Sequence, residues 1–169
     1  MKNISKTALA LTALVALAAP ANSHDKHAHE TRSATYSAGE PGNPKQPSRT
    51  IEVEMSEMAY TPSRIEVKRG EQIRFVIRNA GKEDHEFLLA TTQENLKHAE
   101  EMKKHPRMEH DDPNGVRLAP AKSAEIVWKF TKAGTFEYSC LIPDHRDYGM
   151  IGHVTVKADV KSEKERIKR

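Results

Sequence analysis

The run Phe136-Glu137-Tyr138-Ser139-Cys140-Leu141-Ile142-Pro143-Asp144-His145-Arg146-Asp147-Tyr148-Gly149-Met150 carries the chain's single cysteine, with a histidine five residues after it and a methionine five after that. Phe136, Tyr138 and Cys140 share one parity, so a strand here puts all three on its apolar face. Pro143 and Gly149 turn the following loop back, which lets a thiol, an imidazole and a thioether converge. Copper prefers these soft or borderline donors, and two histidines with a cysteine and a weakly held methionine form an electron-transfer copper site. One histidine is missing from the run. His85, in Asp84-His85-Glu86-Phe87 at the head of another apolar stretch, is the candidate.

Working outward, period-two alternation extends over residues 50–157. Ile51, Val53 and Met55 alternate with glutamates, as do Ile65 and Val67 with Glu66 and Lys68, and Ile73, Phe75 and Ile77 with Arg74 and Arg78. Ile126, Trp128 and Phe130 follow, and Val154 and Val156 close the series. These are half-buried strands. Pro62, Arg69-Gly70, Ala80-Gly81, Ala133-Gly134 and Gly152 punctuate them. Many short strands so separated predict an all-β, antiparallel sandwich or barrel. One segment breaks the rhythm. Residues 92–105 are rich in helix formers and run up to Pro106, which predicts an inserted surface helix capped by Thr92.

Outside this domain the composition changes. Lys2 and Lys6 precede a short apolar run and the small residues Ala19, Ala21 and Ser23, so residues 1–23 read as a cleavable signal peptide, cut after Ala21 or Ser23. Residues 24–49 have almost no large apolar side chains and carry His24, His27 and His29, which predicts a disordered linker. Residues 158–169 form a highly charged tail. Removing residues 1–23 takes away two lysines and no acid, lowering the formal charge from +3 to +1. A near-neutral chain without an aromatic-studded basic surface argues against nucleic acid, and the short apolar run argues against stable membrane association. Export to the periplasm and a monomeric state are the expectations. An exported chain with one cysteine cannot close an internal disulfide, and a metal bond would protect its thiol from oxidation.

The loop of Cys140, His145 and Met150, with His85 upstream, resembles the cupredoxin family of plastocyanins, azurins and auracyanins, the spacing being most like that of auracyanins. Tyr60-Thr61-Pro62, Ile65-Glu66-Val67, Gly70, Phe75, Asn79, Gly81 and His85-Glu86-Phe87 match the same family. The histidine-rich start and the His/Met-bearing insertion are similar to the CopI-type periplasmic cupredoxins linked to copper tolerance. The resemblance implies a Greek-key sandwich and a type 1 copper ion. It implies His85, Cys140 and His145 as equatorial ligands and Met150 as the axial one. The family usually has asparagine after the first histidine ligand, where Glu86 stands here, and serine or threonine after the cysteine, where Leu141 stands. The residues around the implied ligands therefore differ from the usual pattern.

Other readings stand beside this one. Cys140 with His145 as base could be a nucleophile, but no orienting partner or oxyanion device is apparent. A structural zinc site usually wants more thiolates or histidines. Additional copper could bind at His98, Met102 and His105, spaced to share a helix face, with Met108 and His110 following. Cleavage after Ala21 would make His24 the third residue, where amine, amides and imidazole chelate Cu(II). The functional expectation is copper tolerance with a redox-active centre, and the alternative is a dedicated electron shuttle to a redox protein partner. For either, an apolar patch of Leu141, Ile142, Pro143 and Tyr148 is expected around an exposed edge of His145.

Overall fold

A computed structural model of the chain describes residues 36–105 and 112–158, all within one compact unit. Their strands are β1 (Glu40–Pro41), β2 (Arg49–Ser56), β3 (Ala59–Thr61), β4 (Arg64–Lys68), β5 (Gln72–Asn79), β6 (His85–Ala90), β7 (Gly115–Leu118), β8 (Ser123–Lys129), β9 (Gly134–Ser139) and β10 (Ile151–Lys157), with helix α1 (Thr92–Lys104) between β6 and β7. They form two sheets ordered β1-β8-β5-β2-β3 and β4-β10-β9-β6-β7. The chain crosses repeatedly between them, the Greek-key habit of β-sandwiches. The sheets are not wholly antiparallel. β2 runs parallel to β5, and β4 runs parallel to β10. Each such pair is joined by chain that visits the other sheet, so local turn signals cannot reveal it.

The alternating apolar residues meet between the sheets. Phe75, Ile77, Phe87, Leu89, Trp128 and Tyr138 are all fully buried. Phe87 stacks on Tyr138 with centroids 5.1 Å apart, and Tyr60 meets Tyr138 edge-on at 5.0 Å. Burying one such side chain contributes about 1.5–3 kcal/mol relative to leaving it in water. This core fixes the ends of β6 and β9, from which the candidate ligands project.

Two sequence expectations need correction. The disordered linker assigned to residues 24–49 is ordered in its described part. Ala38 is fully buried, Tyr36 packs edge-on against Trp128 at 5.4 Å, and Glu40 and Pro41 pair with Lys129 and Trp128. These few apolar residues cover the edge of the first sheet beside Trp128, which a composition argument overlooks. Residues 24–35, with His24, His27 and His29, lie outside the described residues, as do residues 1–23 and 159–169. The helix cap is Thr91, not Thr92. The Thr91 hydroxyl accepts from the Glu94 amide at 3.3 Å, and the Glu94 carboxylate accepts from the Thr91 amide at 3.0 Å, a capping box.

The helix also does more than lie on the surface. All six residues of β6 are buried, as are Phe136 to Ser139 of β9. Strands that face the core on one side can be buried on both only if something covers the other face. Helix α1 supplies that cover, burying Asn95 and Met102 and placing Met102 in a cluster with Leu88 and Leu141.

Candidate metal centre

His85 opens β6 after a turn built by Asn79. The fully buried Asn79 amide donates to the Glu83 carbonyl at 2.7 Å and the Leu118 carbonyl at 2.8 Å, while its oxygen accepts from the Gly81 amide at 2.9 Å. Three bonds from one side chain set the path of the chain into His85. Gly81 leaves room here for two side-chain ends. A Cβ at this position would lie 2.8 Å from Glu57 Oε1 and 2.9 Å from His85 Nε2.

Cys140 follows β9, and its amide donates to the Met150 carbonyl at 3.2 Å. The intervening loop closes on itself. Met150 N–H donates to the His145 carbonyl at 3.1 Å, and His145 N–H donates to the Ile142 carbonyl at 3.1 Å. Gly149 takes φ +100°, a backbone conformation in which a Cβ is strained. Met150 is fully buried in the same core cluster as Cys140.

The fold brings His85, Cys140 and His145 together. All are buried, and one donor atom from each lies within 4.8 Å of the others. Cys140 Sγ is 3.3 Å from His145 Nδ1, and the two imidazole rings are 5.2 Å apart. Bonds of about 2.0–2.3 Å to one ion hold donors within about 4.5 Å of each other, so donors already within 4.8 Å need only a small contraction to share a single small ion. Burial pushes the Cys140 thiol up to about 12, against the opposing pull of the Glu86 and Ile142 amides. Burial, and then the charge of His145, hold His85 below the ordinary histidine value. Neither ring nitrogen of His85 has a hydrogen-bond partner. An unsatisfied buried polar atom costs about 1–3 kcal/mol. An ion would satisfy one of the two nitrogens and displace the thiol proton, since metal ligands must be deprotonated. The donor set, one thiolate and two imidazoles with a thioether close in the chain, fits copper.

The surroundings give Glu86 a definite place. Its amide donates to Cys140 Sγ at 3.3 Å, and its carboxylate accepts from the Leu141 amide at 3.2 Å. A carboxylate thus ties the two ligand-bearing segments where the family pattern usually has asparagine. Its carbonyl accepts from the Tyr60 hydroxyl at 2.5 Å. On the outer side, Glu83 Oε2 is 3.5 Å from His145 Nε2.

Sequence reasoning missed a buried network beside the loop. Arg146 pairs with Glu137 at 2.5 Å and donates to the Ser139 hydroxyl at 2.6 Å. Glu137 also accepts from Ser139 at 2.9 Å, Thr92 at 2.9 Å and Asn95 at 3.1 Å. Burial alone would raise the Glu137 carboxyl, but these hydrogen bonds outweigh it and hold the group below its ordinary value. Strand alternation puts Glu137 opposite Phe136 and Tyr138, on the face that faces solvent in a bare sandwich. Only the helix insertion hinted that this face is covered.

The expected apolar patch is also revised. Leu141 is 1% exposed, tucked beneath α1, and only Ile142, Pro143 and the 71%-exposed Tyr148 remain near the surface. His145 is 8% exposed, with a carboxylate beside its outer nitrogen. The proposed donor face of α1 is not presented to solvent as one surface. Met102 packs inward, His98 is half-buried and His105 is exposed. Met108 and His110 lie outside the described residues.

With this geometry established, comparison with known proteins is decisive. The copper-binding proteins of the plastocyanin/azurin family match residues 48–157. The chain is a cupredoxin of the plastocyanin/azurin family. Its metal is copper. This cupredoxin is 45% identical over 168 residues to the copper-resistant cuproprotein CopI of Rubrivivax gelatinosus, covering 93% of this chain and 100% of that one. It is 39% identical over 148 residues to the protein of the same name from Pseudomonas aeruginosa, covering 70% of this chain and 82% of the relative. Its fold is similar to that of dithionite-reduced auracyanin from the photosynthetic bacterium Roseiflexus castenholzii. That likeness has a TM-score of 0.56 at 22% identity and covers 66% of this chain and 99% of that one. Among the described residues no helix is long and apolar enough to cross a membrane.

Proposed function

We propose that this cupredoxin is an exported, periplasmic protein of copper tolerance that holds one redox-active copper ion through His85, Cys140, His145 and Met150. The observation that carries the proposal is the buried meeting of one thiol and two imidazoles, with both nitrogens of His85 left without partners. A copper ion held there supplies one-electron chemistry between Cu(II) and Cu(I). The protein's own contributions are separable. Cys140, His85 and His145 would offer the strong donors, and Met150, buried in the same core cluster as Cys140, would be the weak one. The Glu86 amide stabilises negative charge on Cys140 Sγ. The surrounding core excludes water from the sulfur. Four protein donors leave no open position for a substrate, so binding and electron exchange, rather than catalysis, are the proposed activities. The name shared by the two relatives supports the tolerance role.

A second reading, an electron shuttle to a redox protein, draws on the shallow burial of His145 and the exposure of Tyr148 in the same loop. Deleting the gene separates the two. Copper tolerance predicts growth inhibited at copper concentrations that the parent strain withstands, restored by the wild-type gene and not by Cys140→Ser. Normal growth in copper, with slowed electron transfer in its absence, would overturn the tolerance reading in favour of the shuttle.

A further inference from the structure

The inserted helix reaches the loop between Cys140 and Met150 at three places, two by direct contact and one through Glu137. Met102 and Ala99 pack with Leu141, the residue directly after Cys140. Asn95 donates to Glu137, which holds Arg146, the residue directly after His145. Lys103 approaches Asp147 at 3.8 Å. Within residues 141–149 the backbone hydrogen bonds are local turns, from His145 to Ile142, Tyr148 to Asp144 and Gly149 to Arg146. Local turns shape a loop without fixing it to the sheet. The attachments that do so include Leu141 to Glu86, His145 to Cys140 Sγ and to Glu83, Ile142 against the main core, and the helix contacts just named.

We infer that α1 is a brace for the copper loop: Asn95, through Glu137 and Arg146, and Met102, through Leu141, are positioning residues that hold Cys140 and His145 in one arrangement. The inference rests on the copper reading of the site. Its physical basis is the chemistry of the two anchors. The Arg146–Glu137 pair is nearly out of water, and Glu137 receives hydrogen bonds from Ser139, Thr92 and Asn95 besides. A buried pair with its remaining lone pairs satisfied specifies one geometry, whereas one that loses supporting partners loosens. The apolar anchor adds a close-packed contact that cannot slide without opening a void. Groups that orient metal ligands from behind affect affinity and potential although they never touch the ion. Met102 therefore acts by packing and not as a copper donor.

The test compares Asn95→Ala, Met102→Ala, Met102→Leu and Ile73→Ala, the last a core truncation near the opposite end of the sandwich. In metal-free protein, amide hydrogen exchange over residues 141–150 should quicken about tenfold in the two α1 alanine variants. It should stay near wild type in Met102→Leu and should not change selectively in Ile73→Ala. After copper loading, the α1 alanine variants should release copper about 10- to 100-fold faster, with a shifted Cu(II) EPR spectrum. Met102→Leu should restore both properties. Loop exchange and copper release that match wild type or Ile73→Ala would overturn the brace. Loss in Met102→Leu equal to that in Met102→Ala would overturn the packing role. Should wild-type protein lack a copper–thiolate band, the copper reading fails. The exchange comparison on metal-free protein still decides whether α1 holds the loop.

Discussion

Replacing Asn79 with alanine should damage both the fold and the metal centre, by an amount that can be worked out from its three hydrogen bonds. The side chain is fully buried and satisfies the carbonyls of Glu83 and Leu118 and the amide of Gly81. An ordinary hydrogen bond contributes about 1 kcal/mol net, while a buried group left unsatisfied costs about 1–3 kcal/mol. Some of the freed groups can regain water, because the turn over residues 80–84 is near the surface. The expected loss is therefore about 3–4 kcal/mol, a large share of the roughly 5–15 kcal/mol that stabilises a typical domain. Urea unfolding of the metal-free protein measures it, and copper affinity should fall in parallel because the turn delivers His85. Asn79→Asp sharpens the test. It keeps the acceptor for Gly81 but turns a carboxylate oxygen toward two carbonyls, so it should be no better than alanine. A loss below about 1 kcal/mol for Asn79→Ala, or full rescue by aspartate, would refute the reasoning.

The metal-free protein should lose stability as the pH falls. His85 has a folded-state value below that of the unfolded chain, so the unfolded state binds the extra proton more readily. Its contribution is complete above about pH 6.5 and declines as the pH drops toward the folded value. Melting temperatures between pH 7.5 and 5.5 should show this slope, and His85→Gln should flatten it. Gly149→Ala should cost about 1–2 kcal/mol through backbone strain alone, since φ is +100° and nothing lies within 4 Å of the added Cβ. An unchanged urea midpoint would contradict this. Tyr60→Phe removes the hydroxyl that donates to the Glu86 carbonyl and should cost about 1 kcal/mol in urea unfolding.

Much of this molecule was legible because its signals are local. The parity of Ile73, Phe75 and Ile77, and of Phe136, Tyr138 and Cys140, is a property of strands and carried directly into the buried face. The spacing that brings Cys140 and His145 together was readable for the same reason, and His85, which joins them, needed only a matching apolar stretch. What stayed hidden depends on contacts between distant segments. Nothing near Ala38 or Tyr36 announces that Trp128 lies beside them. The parallel pairing of β2 with β5 is settled by strands that leave for the other sheet. Glu137 and Arg146 look like solvated charges until α1 closes over them, and Met102 looks like a free sulfur donor until its packing with Leu88 and Leu141 is seen.

The most direct test of the copper centre is the visible absorption spectrum recorded while one equivalent of Cu(II) is added to the folded wild-type protein and to Cys140→Ser. An intense thiolate-to-copper charge-transfer band that saturates at one equivalent in the wild type and is absent in Cys140→Ser is the predicted result. No such band in the wild type, or the same band in both proteins, would contradict the assignment.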